Sequence, residues 1–87
     1  MKKDGKIVVT SAIKETLAHS EIAHYLFRHF NDDWGDLEED DKKLNESALK
    51  NNDDQIFSMY KREDGQKIYV ITEWDRSATT VLYSHEY

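Results

Sequence analysis

The chain contains no cysteine and no proline, and it has only three glycines in 87 residues. Without cysteine there can be no disulfide and no thiolate metal ligand, so a bound metal would have to use His, Asp, Glu or carbonyl oxygen. The apolar run at 7–9 is far shorter than the roughly 7–15 residues of a signal peptide's apolar region, and no run approaches a membrane span. We therefore expect a cytoplasmic protein that does not contact membranes.

Residues 1–87 are expected to form one domain, because the chain is too short for two cores and shows neither a linker nor an internal repeat. Apolar residues make up 38% and charged residues 34% of the chain, which is typical of a folded domain with a well-solvated surface. We expect a monomer.

The periodicity of apolar residues predicts an α+β fold. A short N-terminal strand is followed by two to three helices, and then by a three-stranded antiparallel meander that packs on the helices. The predicted strands cover residues 6–11, 55–62, 67–73 and 78–84, and the predicted helices cover 12–20, 21–30 and 38–50.

Two of the predicted helices have an apolar face. At about 100° per residue, one arc of the second helix collects five apolar side chains and is predicted to face the core; its members are Ile22, Ala23, Leu26, Phe27 and Phe30. The third helix begins with acids and ends with lysines, as the helix dipole favours. Its predicted core row is Leu37, Leu44 and Ala48.

Negative charge is concentrated in one segment. Residues 31–54 contain ten acids and three bases, while the whole chain has a net charge of −6. Such a surface repels nucleic acid, so we expect no direct nucleic-acid binding; its partners would be metal ions or a basic protein surface. Three interpretations stay open: a metal cradle, a surface that imitates nucleic acid, or a solvated loop and helix start.

Spacing tests the metal hypothesis. His19, His24 and His29 lie five residues apart, so a helix cannot turn all three toward one ion. His29 and Asp33 are four residues apart and can lie on the same side of a helix. A turn at 34–35 can bring the next helix back toward them, with Asp36, Asp40 or Asp41 as a third ligand. Asp41 is favoured. His29, Asp33 and Asp41 would suit a structural Zn²⁺ completed by water.

A simpler interpretation of the same residues needs no metal. His29 lies near a helix C-terminus, where the dipole favours a histidine, and the acids lie at the start of the next helix, where it favours carboxylates.

The two tryptophans are predicted to differ. Trp34 is expected to be a core side chain beneath a loop, with Gly35 supplying a left-handed backbone. Trp74 is expected to be exposed at a hairpin tip, where it and Arg76 could anchor a protein partner. The other predicted partner-binding residues are the acids Asp36, Glu38, Glu39 and Asp40.

The sequence has no nucleophile elbow, no phosphate-binding glycine loop and no His-Glu-x-x-His motif. We therefore expect a protein that is not an enzyme. A metal-dependent hydrolase is a distant alternative, because an acidic surface would repel a phosphodiester substrate.

Two blocks of the chain, at 28–49 and 67–87, resemble a family of small proteins encoded by plasmids, phages and other mobile elements. The shared positions are Arg28-His29, Asp33-Trp34-Gly35, Asp41, Asn45, the hairpin motif from Thr72-Glu73 to Thr80, and Glu86-Tyr87. They span about two-thirds of the chain, and they include all three candidate zinc ligands.

Within that neighbourhood the chain resembles phage anti-CRISPR proteins that inhibit type II-A systems. The resemblance implies a phage protein in the host bacterial cytoplasm that binds Cas9 and blocks its nucleic-acid loading or activity. Cas9 has long basic channels for its heteroduplex, and an acidic surface would be drawn to them. The alternative is a mobile-element accessory protein that binds another host protein, such as a restriction enzyme or a repressor.

Overall fold

The computed structural model describes residues 5–87 and has the predicted α+β architecture. The order of one strand, three helices and three further strands also agrees with the prediction. The elements are β1 (Lys6–Val9), α1 (Ser11–Thr16), α2 (His19–Phe30), α3 (Glu39–Asn51), β2 (Ile56–Lys61), β3 (Lys67–Thr72), β4 (Ala78–Tyr83) and a final 3₁₀ turn (Ser84–Glu86).

The strands form one four-stranded sheet in the order β1-β4-β3-β2. β2, β3 and β4 make the predicted antiparallel meander, whereas β1 pairs in parallel with β4. The prediction of a three-stranded sheet is therefore one strand short. The pairing of β1 was missed because β1 and β4 lie some seventy residues apart along the chain, and no local sequence pattern indicates a pairing over that distance.

The main core lies between one face of the sheet and helices α1 and α2. Ile13 and Leu17, in and just after α1, and Ile22 and Tyr25 from α2 contact the inward side chains of the strands, which are Tyr60, Ile68, Val70, Val81 and Tyr83. A second cluster joins Trp34, Leu37 and Ala48 to Ile56 of β2. Trp34 is buried as predicted, so the loop before α3 contributes to the core.

The predicted core face of α2 is partly wrong. The side chains that α2 buries are Ile22, Tyr25 and His29, while Ala23 is exposed and Phe27 is 68% exposed. The buried face is thus rotated by roughly 90° from the apolar stripe, at about 100° per residue. The reason is that both polar side chains have hydrogen-bond partners there, Tyr25 with Glu21 on the same helix and His29 with Ser58 and Thr72 of the sheet, which a pattern of apolar residues cannot register.

The predicted core row of α3 is wrong at one position. Leu37 and Ala48 are buried, but Leu44 is 64% exposed and its neighbour Asn45 is buried instead. The Asn45 side chain pairs with the main chain of Phe57 in β2: Nδ2 donates to the carbonyl at 2.6 Å, and Oδ1 accepts from the N–H at 3.0 Å. Asn45 therefore faces inward because its side chain bonds main-chain groups of β2 that no neighbouring strand pairs with.

β2 is an edge strand, and residues 34–45 cover its outer side. Met59 N–H donates to the Trp34 carbonyl at 3.2 Å, and Asp36 N–H donates to the Met59 carbonyl at 2.7 Å. The Asp36 carboxylate accepts from Lys61 N–H at 2.9 Å. Together with Asn45, these contacts bond the outward N–H groups of β2 at 57, 59 and 61, so that this edge offers little main chain for another strand to pair with.

Gly35 is required where the covering segment meets β2. Its φ is 73°, as the sequence predicted, and a Cβ atom there would lie 2.3 Å from the Met59 carbonyl oxygen and 2.5 Å from the Tyr60 ring. Only glycine allows the main chain to approach the strand this closely.

We predict that Asn45→Ala lowers the free energy of unfolding by about 2 kcal/mol, because it leaves the N–H and the carbonyl of Phe57 without their partners. Urea denaturation measures this loss, and faster hydrogen exchange at the Phe57 amide would locate it. The matched control is Asn51→Ala, which removes an exposed side-chain bond to Ser47 and should cost less than about 0.5 kcal/mol. Equal losses in the two variants would contradict the role assigned to Asn45.

Candidate functional site

The exposed carboxylates at the start of α3 form the acidic surface, which consists of Glu38, Glu39, Asp40 and Asp41. Glu38 is the N-cap residue and the other three occupy the first turn, where the helix dipole stabilises negative charge. Lys42 lies 3.7 Å from one carboxylate oxygen of Glu39, a surface contact that contributes little to stability. The carboxylates are therefore held on a rigid helix end and face solvent.

The two acids before them have structural partners. Arg28 binds Asp33 with two bonds, from Nε to Oδ2 at 2.8 Å and from Nη2 to Oδ1 at 3.2 Å. This guanidinium holds the pKa of Asp33 below its usual range. Asp36 is exposed, but its carboxylate caps the Lys61 N–H. Of the predicted partner-binding acids, Asp36 thus also belongs to the edge cover of β2.

Arg28 also contacts an aromatic ring. Its Cζ lies 4.6 Å from the centre of the Tyr60 ring, and that ring stacks on Tyr25 at 5.1 Å. The Tyr60 hydroxyl donates to the Asp33 carbonyl at 2.6 Å. A cation between a carboxylate and an aromatic face is a favourable arrangement, and here it fixes the turn that leads into the covering segment.

His29 lies at the centre of a buried polar chain. Its Nδ1 is 2.6 Å from the Ser58 hydroxyl and its Nε2 is 2.8 Å from the Thr72 hydroxyl, which in turn is 2.7 Å from the Thr79 hydroxyl. In a neutral ring one nitrogen donates and the other accepts, so both are satisfied. Burial lowers the pKa of His29 to about 4. Although Ser58 and His29 have the spacing of a nucleophile and a base, both are fully buried, and no substrate reaches them in this conformation.

The three predicted zinc ligands are not brought together. Both ring nitrogens of His29 face hydroxyls, Asp33 binds Arg28, and Asp41 is exposed on α3. Within residues 5–87, no group of three or more His, Cys, Asp or Glu side chains is arranged to hold a metal ion. The geometry therefore does not fit the proposed structural zinc, which stays a prediction from the sequence.

Trp74 and Arg76 occupy the turn between β3 and β4. Trp74 is 63% exposed, as predicted for a hairpin tip. Arg76 has a structural role: its Nη2 donates to the Ala48 carbonyl near the end of α3 at 3.1 Å, and its Nη1 donates to the Asp54 carbonyl at 2.6 Å. Of the two predicted anchors, Trp74 alone presents its side chain chiefly to solvent.

Sequence reasoning missed one ion-pair cluster, at the far end of β2. Arg62 binds Glu21 through Nε at 2.6 Å and through Nη2 at 3.0 Å, and it also contacts Asp64. The Arg62 guanidinium lowers the pKa of Glu21. The hydroxyl of Tyr25 donates to Glu21, and burial raises the pKa of Tyr25 to about 12. The cluster ties α2 to the β2–β3 turn, and nothing in a local pattern pairs residues 41 positions apart.

No protein-family model, curated protein or solved structure matches the chain. Among the described residues, no helix is both long and apolar enough to cross a membrane.

We predict that stability falls as the pH is lowered from 7.5 to 5. The folded pKa of His29 lies below the ordinary 6.5, so the unfolded chain takes up a proton in this range and the folded chain does not. The free energy of unfolding should fall by ~2 kcal/mol, in a range above that in which the paired carboxylates titrate. Urea denaturation at each pH measures this.

A control assigns the effect to His29. A variant with His19, His24 and His85 all replaced by Gln keeps only the buried imidazole and should retain the full pH dependence. His29→Gln, if it folds, should lose it. Loss of the dependence in the triple variant would show that exposed histidines cause it.

Treatment with a chelator tests whether the zinc site predicted from the sequence contributes to stability. Because those contacts already engage His29 and Asp33, we expect EDTA to leave the melting temperature of the purified, untagged chain unchanged. Elemental analysis before and after treatment provides the metal content. One equivalent of zinc together with a large fall in melting temperature would restore the predicted site and would require His29 to turn away from its hydroxyl partners.

Proposed function

We propose that this chain is a non-enzymatic anti-CRISPR protein that binds Cas9 through its acidic surface and blocks nucleic-acid loading or activity. The observation that carries the proposal is the row of exposed carboxylates from Glu38 to Asp41 at the start of α3. The motif resemblance to phage inhibitors supplies the identity of the partner, and the net charge of −6 agrees with a basic target.

The spacing of charge along the acidic surface supports the proposal. The carboxylates lie on a helix, which advances about 1.5 Å per residue, while duplex DNA carries one charge per roughly 1.7 Å of its axis. A basic channel that binds nucleic-acid backbone could therefore accept them in place of phosphates. The second core cluster holds α3 in position through Leu37 and Ala48, so little conformational entropy would be lost on binding.

The acids just before the acidic surface have structural roles, which leaves the acidic surface itself for binding a partner. Asp33 and Asp36 point to Arg28 and to the main chain of β2, so changing them would disturb the fold. Glu38, Glu39 and Asp40 are exposed, so exchanging them for the opposite charge removes no contact of the core and costs only their favourable interaction with the helix dipole. The proposal can thus be tested on the surface without dismantling the core.

The test compares the unmodified chain with Glu38→Lys/Glu39→Lys/Asp40→Lys for binding to purified type II-A Cas9 and for inhibition of guided DNA cleavage. We expect the unmodified chain to bind and to inhibit, and the triple variant to bind at least about tenfold more weakly. The matched control, Glu15→Lys/Glu63→Lys/Glu73→Lys, makes the same change in net charge at exposed positions elsewhere and should retain inhibition.

Salt separates imitation of nucleic acid from electrostatic steering. If the carboxylates occupy phosphate sites, the triple variant should lose affinity at about 0.1 M and about 0.5 M salt alike; if they only steer, it should mainly slow association at low salt. Failure of the unmodified chain to bind or inhibit Cas9 would contradict the proposal and favour another host protein, such as a restriction enzyme or a repressor.

A further inference from the structure

A shallow pocket of about 300 Å³ lies between α3, the start of β2 and the end of the chain. Its walls include the carboxylates Asp41 and Asp54 and the aromatic rings Phe57 and Tyr87, with Leu44 and Gln55 beside them. Within residues 5–87, no basic side chain lines it. We infer that this pocket binds the guanidinium group of an arginine side chain of a protein partner.

The aromatic walls offer faces to a planar cation. The rings of Phe57 and Tyr87 lie 6.3 Å apart at 66°, and Tyr69 packs edge-on against both, at 4.7 Å and 5.8 Å. Phe57 is half-buried and backed by Tyr69, whereas Tyr87 is 70% exposed. Two rings at such an angle form a corner, and an arginine placed there can stack on one ring while the edge of its guanidinium faces outward.

The carboxylates supply the charge that would hold the cation. Asp41 is exposed on α3, and the carboxylate of Asp54 accepts the Gln55 N–H at 2.7 Å. A guanidinium has five N–H donors in a rigid fork, so it can bond carboxylates while its face contacts a ring. An ammonium group is a compact point charge that makes less use of an aromatic face.

The same chain already binds one of its own arginines in this way. Arg28 makes two bonds to Asp33 and lies 4.6 Å from the centre of the Tyr60 ring. The pocket beside α3 contains both components of that arrangement, an aromatic ring and a carboxylate. The internal example shows that this combination is geometrically compatible with a guanidinium.

The pocket continues the acidic surface along α3. Glu38, Asp41 and Asn45 follow one another at three and four residues, a spacing that keeps side chains on one side of a helix. A basic segment attracted to the acidic surface could therefore place one arginine in the pocket, and arginine is among the residues that dominate binding energy at interfaces. In this respect the inference rests on the proposed function, since it specifies what the basic partner presents.

The pocket is tested without Cas9. The ¹⁵N-labelled full chain is titrated with blocked Gly-Arg-Gly, and amide shifts are followed by NMR. We expect saturable shifts in the millimolar range, concentrated at Leu44, Gln55, Phe57 and Tyr87. The same peptide with citrulline, which is neutral and has the same shape, should bind at least about tenfold more weakly, and Gly-Lys-Gly should bind more weakly than Gly-Arg-Gly.

Variants locate the site. Asp41→Asn/Asp54→Asn should weaken binding of the arginine peptide about tenfold, and Tyr87→Ala should weaken it as well. Glu15→Gln/Glu63→Gln makes the same change in charge away from the pocket and should have no effect. Unchanged amide spectra elsewhere would show that the variants remain folded.

The inference would be overturned by equal binding of the citrulline or lysine peptide, by shifts spread over all acidic residues, or by no effect of the two Asp→Asn changes. These outcomes are independent of the Cas9 experiment. A chain that binds the arginine peptide but not Cas9 has the pocket and a different partner, and a chain that inhibits Cas9 without binding the peptide does so through the acidic surface alone.

Discussion

The covering of the outer edge of β2 is the constraint on which much of this structure depends. A sheet with an open edge exposes unpaired N–H and C=O groups, and the chain closes this edge with the segment from Trp34 to Asn45 rather than with a further strand. The cover brings Trp34 and Leu37 into the second core cluster and sets the position from which α3 begins. It also explains Gly35, because the cover approaches the strand too closely for any Cβ atom.

Polar contacts fix the orientation of α2. Arg28 and Tyr60 hold the turn before the cover, Arg62 and Glu21 join α2 to the β2–β3 turn, and the hydroxyls around His29 hold the inner side of α2 against the sheet. Because the hydroxyls of Ser58 and Thr72 bond both ring nitrogens, His29 can be buried without an unpartnered polar atom, and α2 presents it inward while Phe27 is exposed. The apolar pattern of the helix is overruled by the hydrogen bonds that the sheet provides.

The acidic segment thus has two sides with different roles. Asp33, Asp36 and Asn45 bond to other groups of the domain, whereas the exposed carboxylates from Glu38 to Asp41 remain available to a partner. The acids of this segment therefore fall into two groups, one structural and one exposed.

The sequence by itself determined what depends on neighbours along the chain. The α+β class, the element order, the buried Trp34, the left-handed Gly35 and the exposed Trp74 all follow from local periodicity, turn chemistry and charge placement. The tertiary structure alone decided what depends on residues far apart: the parallel pairing of β1 with β4, the inward faces of α2 and α3, and the hydroxyl partners of His29. The spacing of His29 and Asp33 is compatible with a shared metal ion. It does not show that Ser58 and Thr72 bond the ring nitrogens of His29, or that Arg28 binds Asp33. The partners of His29 are a property of the assembled sheet, because Ser58 and Thr72 lie on strands 29 and 43 residues further along the chain.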